Sequence, residues 1–428
     1  MAERQYLCID LKSFFASVEC VERGLDPMKT DLVVADPERC ETTICLAVSP
    51  SLKNKGVKNR CRVFEIPKGM QYIMAEPRMQ LYIDYSAAIY AVYLKYISKD
   101  DIHVYSIDEV FLDVTDYLSL YKMTAVELGE KIRQDILKTV GIPAAVGVGT
   151  NLYLAKIALD ITAKHSPIFL GVLDEKSYRE TLWDHRPITD FWQIGAGTAK
   201  RLEDRGISTM REIANSREQV LYDLFGVDAE IMIDHAWGRE PTTIADIKAY
   251  KTQSRSLSSG QVLHRNYSQK EGEIIVREMA DKLSLDLFDK ELVTHSITLC
   301  LSFGDKEKPM ARTTEKLLSP TSSAEQIIAA TVKAYYRIMG KDDYIRKVNI
   351  SLNKVINEPL AQLDFYYDEK KLIKEKKQMQ AVSSIKKKFG KNAILRGTDL
   401  KEGATMRQRN AQIGGHKSGG KRYGNEEK

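Results

Sequence analysis

His103-Val104-Tyr105-Ser106-Ile107-Asp108-Glu109-Val110-Phe111-Leu112-Asp113-Val114 is the stretch that decides how this chain is to be read. Two apolar runs flank a short acidic tip, the pattern of an antiparallel hairpin. Upstream, Tyr6-Leu7-Cys8-Ile9 is another short apolar strand, and it ends on Asp10. If these strands are neighbours, Asp10, Asp108 and Glu109 converge on one edge of a sheet. Carboxylates at close range raise one another's pKa unless cations neutralise them. Oxygen ligands suit Mg²⁺, which keeps waters and takes its remaining ligands from substrate phosphates. Two such ions, about 3.5–4 Å apart, activate an attacking hydroxyl and stabilise a departing phosphate oxygen. An Asp-Glu pair in a turn is more often simply solvated, and an Asp after a strand is often a helix cap, so the flanking sequence has to decide.

Working outward, Phe14, Phe15, Val18 and Val21 recur at helical spacing, with Ser13 as the expected cap. Strands are expected over 32–35 and 43–48, followed by a basic stretch from 49 to 62. A helix is expected over 79–97, another over 124–140, a strand over 144–149 and a helix over 152–162. Strand, helix, hairpin, helix, strand is an α+β domain. Beyond Pro167 the chain turns to short helices around Phe191-Trp192-Gln193-Ile194-Gly195-Ala196-Gly197. A linker is expected over 241–252, then a segment with helices over 272–287 and 324–339 and a strand over 296–303. After Pro359 the chain is Lys-rich, then Gly-rich from Gly414 to Gly420, a piece expected to bury no core.

A length of 428 residues calls for about three or four domains, and 43% hydrophobic with 29% charged residues is ordinary for a globular protein. No run approaches the roughly 18 apolar residues of a membrane helix, and the first ten residues contain no apolar signal core, so a cytoplasmic location is expected. The cysteines (Cys8, Cys20, Cys40, Cys45, Cys61, Cys300) form no Cys-x-x-Cys pair and are expected as reduced thiols. From Lys370 onward, 17 Lys and Arg face five Asp and Glu, and between Ala245 and Val355 the balance is 18 to 14. The rest is net acidic, as suits metal binding at one end and polyanion binding at the other.

With these motifs in view, the sequence resembles the Y-family DNA polymerases, in their UmuC-like branch from Gram-positive bacteria. The resemblance is carried by Ile9-Asp10-Leu11-Lys12-Ser13-Phe14-Phe15-Ala16-Ser17-Val18-Glu19, by Tyr105 through Asp113, by Val146-Gly147-Val148-Gly149-Thr150-Asn151 with Leu154-Ala155-Lys156-Ile157-Ala158, and by Ile194 through Gly197. It implies a multidomain α+β right-hand polymerase. The palm would be residues 1–10 and 79–168, small fingers 11–78, and a helical thumb with a helix-hairpin-helix 169–240. A linker (241–252), a DNA-binding little finger (253–356) and a basic, partly disordered tail (357–428) would follow.

The resemblance also implies the activity: low-fidelity, template-directed synthesis past DNA lesions from deoxynucleotides, in SOS-type damage tolerance. Asp10, Asp108 and Glu109 would hold two Mg²⁺ ions, with the carbonyl of Leu11 as a further ligand. Phe14 and Phe15 fall at the nucleotide. Phe15 matches the steric gate against a 2′-hydroxyl, whereas Phe14 points about 100° away and is expected in the core. Lys164 matches a triphosphate-binding lysine. Lys53 stands where the family commonly has an arginine, and Pro50 where it often has a tyrosine; a lysine lacks the arginine fork.

Gly195 and Gly197 would let backbone N–H groups approach a DNA phosphate, and Lys251, Arg255, Arg265 and Arg312 are candidate phosphate contacts. Gln362-Leu363-Asp364-Phe365-Tyr366 resembles the pentapeptide that docks bacterial polymerases on the sliding clamp. Accessory mutagenesis proteins or a recombinase filament are further partners the branch suggests. An idle clamp-recruited scaffold has no use for repelling carboxylates, and a palm-type cyclase has no use for a duplex grip.

Overall fold

The computed structural model describes residues 4–38, 41–252, 255–358 and 369–419. It forms two compact units, residues 1–250 with 417–428, and residues 251–416.

In chain order the first unit contains β1 (Tyr6–Leu11), α1 (Phe14–Val21), β2 (Leu32–Val34), β3 (Ala47–Val48), α2 (Pro50–Asn54), β4 (Ile73–Ala75), α3 (Met79–Tyr93), β5 (Ile102–Val104), β6 (Glu109–Asp113), α4 (Tyr117–Tyr121), α5 (Ala125–Val140), β7 (Ala144–Gly149), α6 (Leu152–Ile157) and β8 (Leu170–Leu173). Its main sheet runs β5-β6-β1-β7-β8. The first strand lies at the centre, antiparallel to both β6 and β7, while β7 and β8 are parallel. A central strand must be apolar on both faces, and β1 is. Leu7 and Ile9 pack with Ile89 of α3 and Leu128 and Ile132 of α5, and Tyr6 and Cys8 pack with Phe111, Leu152 and Leu159. Each such fully buried aliphatic side chain stabilises the fold by about 1.5–3 kcal/mol. α5 begins at a capping box between Thr124 and Glu127 and ends at Gly141, in the left-handed region.

A second, three-stranded sheet, β3-β2-β4, carries the segment expected as fingers. The remaining helices of this unit are α7 (Glu175–Thr181), α8 (Ala196–Glu203), α9 (Met210–Asn215), α10 (Glu218–Phe225), α11 (Asp228–Trp237) and α12 (Ile244–Ala249). The last of these lies inside the expected linker, in which the boundary between the two units falls after Tyr250. Thr243 and Asp246 cap it, and Ile244 is buried with Tyr6 and Phe111. The expected helix over 79–97 stops at Tyr93, and of the strand over 43–48 only Ala47–Val48 pairs along its length, with an isolated bridge from Ile44 to Arg62. Ser13 does not cap α1 through its side chain. It adopts φ 48°, the sharp turn that carries the chain from strand to helix.

The second unit has β9 (Leu257–Tyr267), α13 (Gln269–Asp289), β10 (Leu292–Phe303), β11 (Ala311–Thr321), α14 (Ala324–Ile338), β12 (Ile345–Asn353), β13 (Ile356–Asn357), α15 (Glu369–Phe389) and α16 (Met406–Asn410). Its sheet, β11-β10-β12-β9, is antiparallel and packs one face on α13 and α14. The region expected as a solvated tail folds in part. Buried Glu278 of α13 accepts the backbone N–H groups of Thr405 and Met406, at 3.1 Å each, and the Thr405 hydroxyl. Ser383 and Lys387 of α15 bind Asp289. Gly414 and Gly415 take positive φ at the turn of a two-stranded hairpin (Gln412–Ile413 with His416–Lys417), so the first half of the Gly-rich run has defined structure.

Candidate active site

Asp10 and Glu109 are register partners on neighbouring strands, and the N–H of Leu11 donates to the carbonyl of Asp108 at 2.9 Å. The central strand and the hairpin tip are therefore clasped where all three acidic residues sit. The tip itself is tight: Tyr105 and Ser106 both donate backbone N–H groups to the Glu109 carbonyl, and Ser106 Oγ donates to Asp108 Oδ1 at 2.6 Å. A cleft of about 310 Å³ opens beside Asp108 and Glu109, walled by Ser86 and Tyr90 of α3. Burial, aided by the charges of Asp108 and Glu109, pushes the Asp10 carboxyl up to about 6, although Lys164 pulls it the other way.

The cations beside these carboxylates come from one segment. Lys156 Nζ lies 2.6 Å from Glu109 Oε1 and 2.8 Å from Oε2. Lys164 Nζ lies 3.0 Å from Asp10 Oδ2. Between the two lysines, Asp160 accepts from both, at 3.0 Å from Lys156 and 2.8 Å from Lys164. This segment can reach the site because α6 lies directly on β7. A Cβ added at Gly149 would come within 2.1 Å of the Ala155 backbone nitrogen, and one at Gly147 within 2.2 Å of the Ala155 carbonyl oxygen. The expected helix over 152–162 is α-helical only to Ile157, and a π-turn spans Ala158–Thr162. Such turns are frequent at functional sites.

Lys53 and Lys12 complete the basic side. Desolvation, with the charge of Lys164, lowers the Lys53 ammonium, and Asp10 and Asp108 act in the opposite direction. Desolvation lowers Lys12 to about 8, with Lys53 and Lys164 contributing. Lys12 Nζ sits 3.6 Å over the Phe169 ring. Pro50 is the first residue of α2, whose Ser49 cap accepts from Leu52 N–H, so the position has a helix-starting role.

Phe15 is half-buried and stacks on Tyr82, with ring centroids 4.5 Å apart at 18°. Tyr82 is in turn held by buried Glu19, which accepts its hydroxyl at 2.8 Å and both the Nε and Nη2 of Arg78. Phe14, which the motif also sets at the nucleotide, is 2% exposed and belongs to the core. Successive positions on a helix diverge by about 100°, and only one of the two rings can face outward.

Family models give these arrangements a lineage. Residues 9–160 match the impB/mucB/samB family, and residues 254–365 match the impB/mucB/samB family C-terminal domain. The chain belongs to this family. It is a DNA polymerase of the Y family. Curated relatives of Bacillus subtilis (strain 168) include a putative UV-damage repair protein, UvrX, 28% identical over 97% of this chain and 98% of the relative. They also include DNA polymerase IV 2, 28% identical over 97% and 99%. DNA polymerase IV 2 of Halalkalibacterium halodurans is 27% identical over 95% and 98%. Among solved structures, a Y-family DNA polymerase chimera covers 82% of this chain and 99% of its own, with a TM-score of 0.65 and 21% identity, a likeness of fold.

In this Y-family chain the candidate DNA contacts separate into different groups. Gly195, which precedes α8, and Gly197 in its first turn are exposed, and a Cβ at either would meet open space. Neither has positive φ, so no internal packing or backbone strain requires glycine there. Arg312 stands on the open face of the second unit's sheet, opposite Cys300 of β10. Lys316 and Lys347 share that exposed face, and the sequence reading did not single them out. Arg265 instead pairs with Glu271 at 2.5 Å and lies over Tyr267. Arg255 reaches Asn357 at 3.5 Å, and Lys251 is exposed. The pentapeptide 362–366 lies outside the described residues.

Lys12, Lys156 and Asp160 are the site residues that sequence reasoning missed. The signal was present in the four-residue spacing of Lys156, Asp160 and Lys164, which puts three charges on one helix face. A further acidic group, Asp36, Glu38 and Glu76, surrounds Lys417, which pairs with all three. Cys8, Cys20, Cys45, Cys61 and Cys300 are all free thiols. Among the described residues, no helix is long and apolar enough to cross a membrane.

Proposed function

We propose that this polymerase extends a primer on damaged templates by nucleotidyl transfer at Asp10, Asp108 and Glu109, with two Mg²⁺ ions and low fidelity. The observation that carries this is the pairing of Asp10 with Glu109 under the Leu11–Asp108 clasp, which gathers three carboxylates at one strand edge. The donor set fits hard divalent cations in kind: it is all-oxygen, and burial makes its charge costly, as in the raised Asp10 carboxyl. When bound, the ions supply activation of the primer hydroxyl and neutralisation of the departing pyrophosphate.

The chain's own groups do the rest. Lys164, with Lys53 behind it, places positive charge beside the carboxylates for an incoming triphosphate. Phe15, backed by Tyr82, presents a rigid ring under the sugar. A small fingers segment closes little over the nascent pair, which favours acceptance of damaged bases. The open sheet of the second unit and the glycines at the start of α8 offer sequence-indifferent phosphate contacts. Docking on a sliding clamp through residues 362–366, Leu363 and the aromatics filling an apolar pocket, is the partner interaction this reading adds. Accessory mutagenesis proteins, a cytoplasmic location and SOS-type induction belong to the same reading.

Primer extension with deoxynucleotides and Mg²⁺, comparing wild type with Asp108→Ala, tests it. Loss of about 10²- to 10³-fold in insertion rate is expected, the scale of removing one preorganised electrostatic group; equal activity would end the catalytic claim. Phe15→Ala should raise ribonucleotide incorporation by at least about tenfold, and unchanged sugar selection would remove the gate.

A further inference from the structure

We propose that Asp160 is a positioning residue that sets how readily the site admits divalent cations, by acting as shared counter-ion to the two lysines that hold the metal-binding carboxylates. The inference rests on the nucleotidyl-transfer reading above and concerns a residue to which that reading assigns nothing. Its basis is the unbroken chain Asp10–Lys164–Asp160–Lys156–Glu109, in which consecutive groups are 2.6–3.0 Å apart. Lys156 takes both oxygens of Glu109 and is 8% exposed, so it is committed to that carboxylate or to Asp160 and has little access to water.

A cation that claims Glu109 and Asp10 must draw them away from these ammonium groups. Asp160 makes that possible, because each lysine retains an anionic partner when its other one is engaged elsewhere. Removing the charge of Asp160 leaves each ammonium dependent on a metal ligand alone, and at Lys156, 8% exposed, a buried unpaired charge is costly. The net charge of the group also matters. Asp10, Asp108, Glu109 and Asp160 against Lys156 and Lys164 leave two negative charges, Asp160→Asn leaves one, and Lys156→Met with Asp160→Asn restores two. Asp160 lies four residues from each lysine and within reach of both, in the segment that turns as a π-helix over Ala158–Thr162.

The test uses the full chain bound to a primer–template ended by a dideoxynucleotide, with the next deoxynucleotide present. Bound Mn²⁺ is counted from the electron paramagnetic resonance signal of the free ion, so no turnover is needed. Asp160→Asn should raise the half-saturating Mn²⁺ concentration about tenfold. Asp160→Glu should recover most of that loss, and Lys156→Met/Asp160→Asn should return close to wild type. Wild-type Mn²⁺ binding by Asp160→Asn would overturn the proposal. So would a double variant that binds as weakly as Asp160→Asn or fails to fold, since the fault would then be structural. If Asp160→Asn alone fails to fold, a folded double variant with wild-type binding supports the same counter-ion role. Asp108→Ala serves as the control: if it too leaves Mn²⁺ binding untouched, the metal site itself is wrong, a failure distinct from that of Asp160.

Discussion

Asp10 shows how much a single position at the site costs the fold that carries it. Its carboxyl is raised from 3.8 to about 6, burial being the largest cause and Lys164 opposing it. A folded-state pKa above the unfolded value means that the folded protein holds the proton more tightly. The metal-free fold therefore loses stability as pH rises from about 4 to about 6, and carries a constant penalty above that. Asp10→Asn removes the titration, so without divalent cations it should be more stable than wild type at pH 7.5 by about 1–3 kcal/mol. The gap should close below pH 4. Denaturant melts at the two pH values, in a chelator, measure it, and a variant less stable than wild type at pH 7.5 would contradict the sign. The motif resemblance singled out Asp10, Asp108, Glu109 and Phe15 as a set, and the structure brings the three acidic residues to adjoining positions of β1 and the β5–β6 tip. Helical spacing already separated Phe14, expected in the core and 2% exposed, from Phe15, but the left-handed turn at Ser13 that sets the rotation of α1 has no signature in a serine.

At the scale of elements, strands were legible wherever both faces are buried, since β1, β6 and β7 are short apolar runs bounded by polar residues. The Val-Gly-Val-Gly run of β7 was legible as a strand, but the reason for its glycines was not, because it lies in the approach of α6 from elsewhere in the chain. Gly149→Ala should cost about 3 kcal/mol or more, because the nearest atoms are backbone and cannot rotate away. It should also lower insertion activity, since α6 and the π-turn carry Lys156 and Asp160. A variant with the wild-type denaturation midpoint would show that the helix lies farther from the strand than described. The helix inside the expected linker over 241–252 was not legible for a related reason, although the boundary between the two units does fall in that span, after Tyr250. Thr243 and Asp246 form a legible cap, yet six residues, Ile244–Ala249, are too few for helical periodicity to stand out, and the burial of Ile244 is a tertiary effect.

For the whole molecule, charge distribution says more than the net +5. The acidic groups gather at the strand edge of the first unit, and the open sheet face of the second presents Arg312, Lys316 and Lys347 with short polar side chains between them, such as Thr298, Thr314 and Ser351. Cations set among short polar side chains suit phosphates. The sequence ranked Arg255, Arg265 and Arg312 alike because a strand's two faces differ only by parity, and a bulge or a local acidic partner such as Glu271 shifts which cations remain available. Binding to primer–template DNA should therefore weaken steeply and linearly with the logarithm of salt concentration. Replacing Arg312, Lys316 and Lys347 together with alanine should reduce that slope by up to about three, at roughly 0.9 per lost phosphate contact. Insertion rate at saturating DNA should stay at the wild-type value, because none of the three lies among the carboxylates. Fluorescence anisotropy between 50 and 200 mM salt, about a 10³- to 10⁵-fold range of affinity for six to ten phosphate contacts, resolves a change of this size. An unchanged slope would move the duplex grip off this sheet and onto other basic groups, with Lys251 and the exposed lysines of α15 the next to replace.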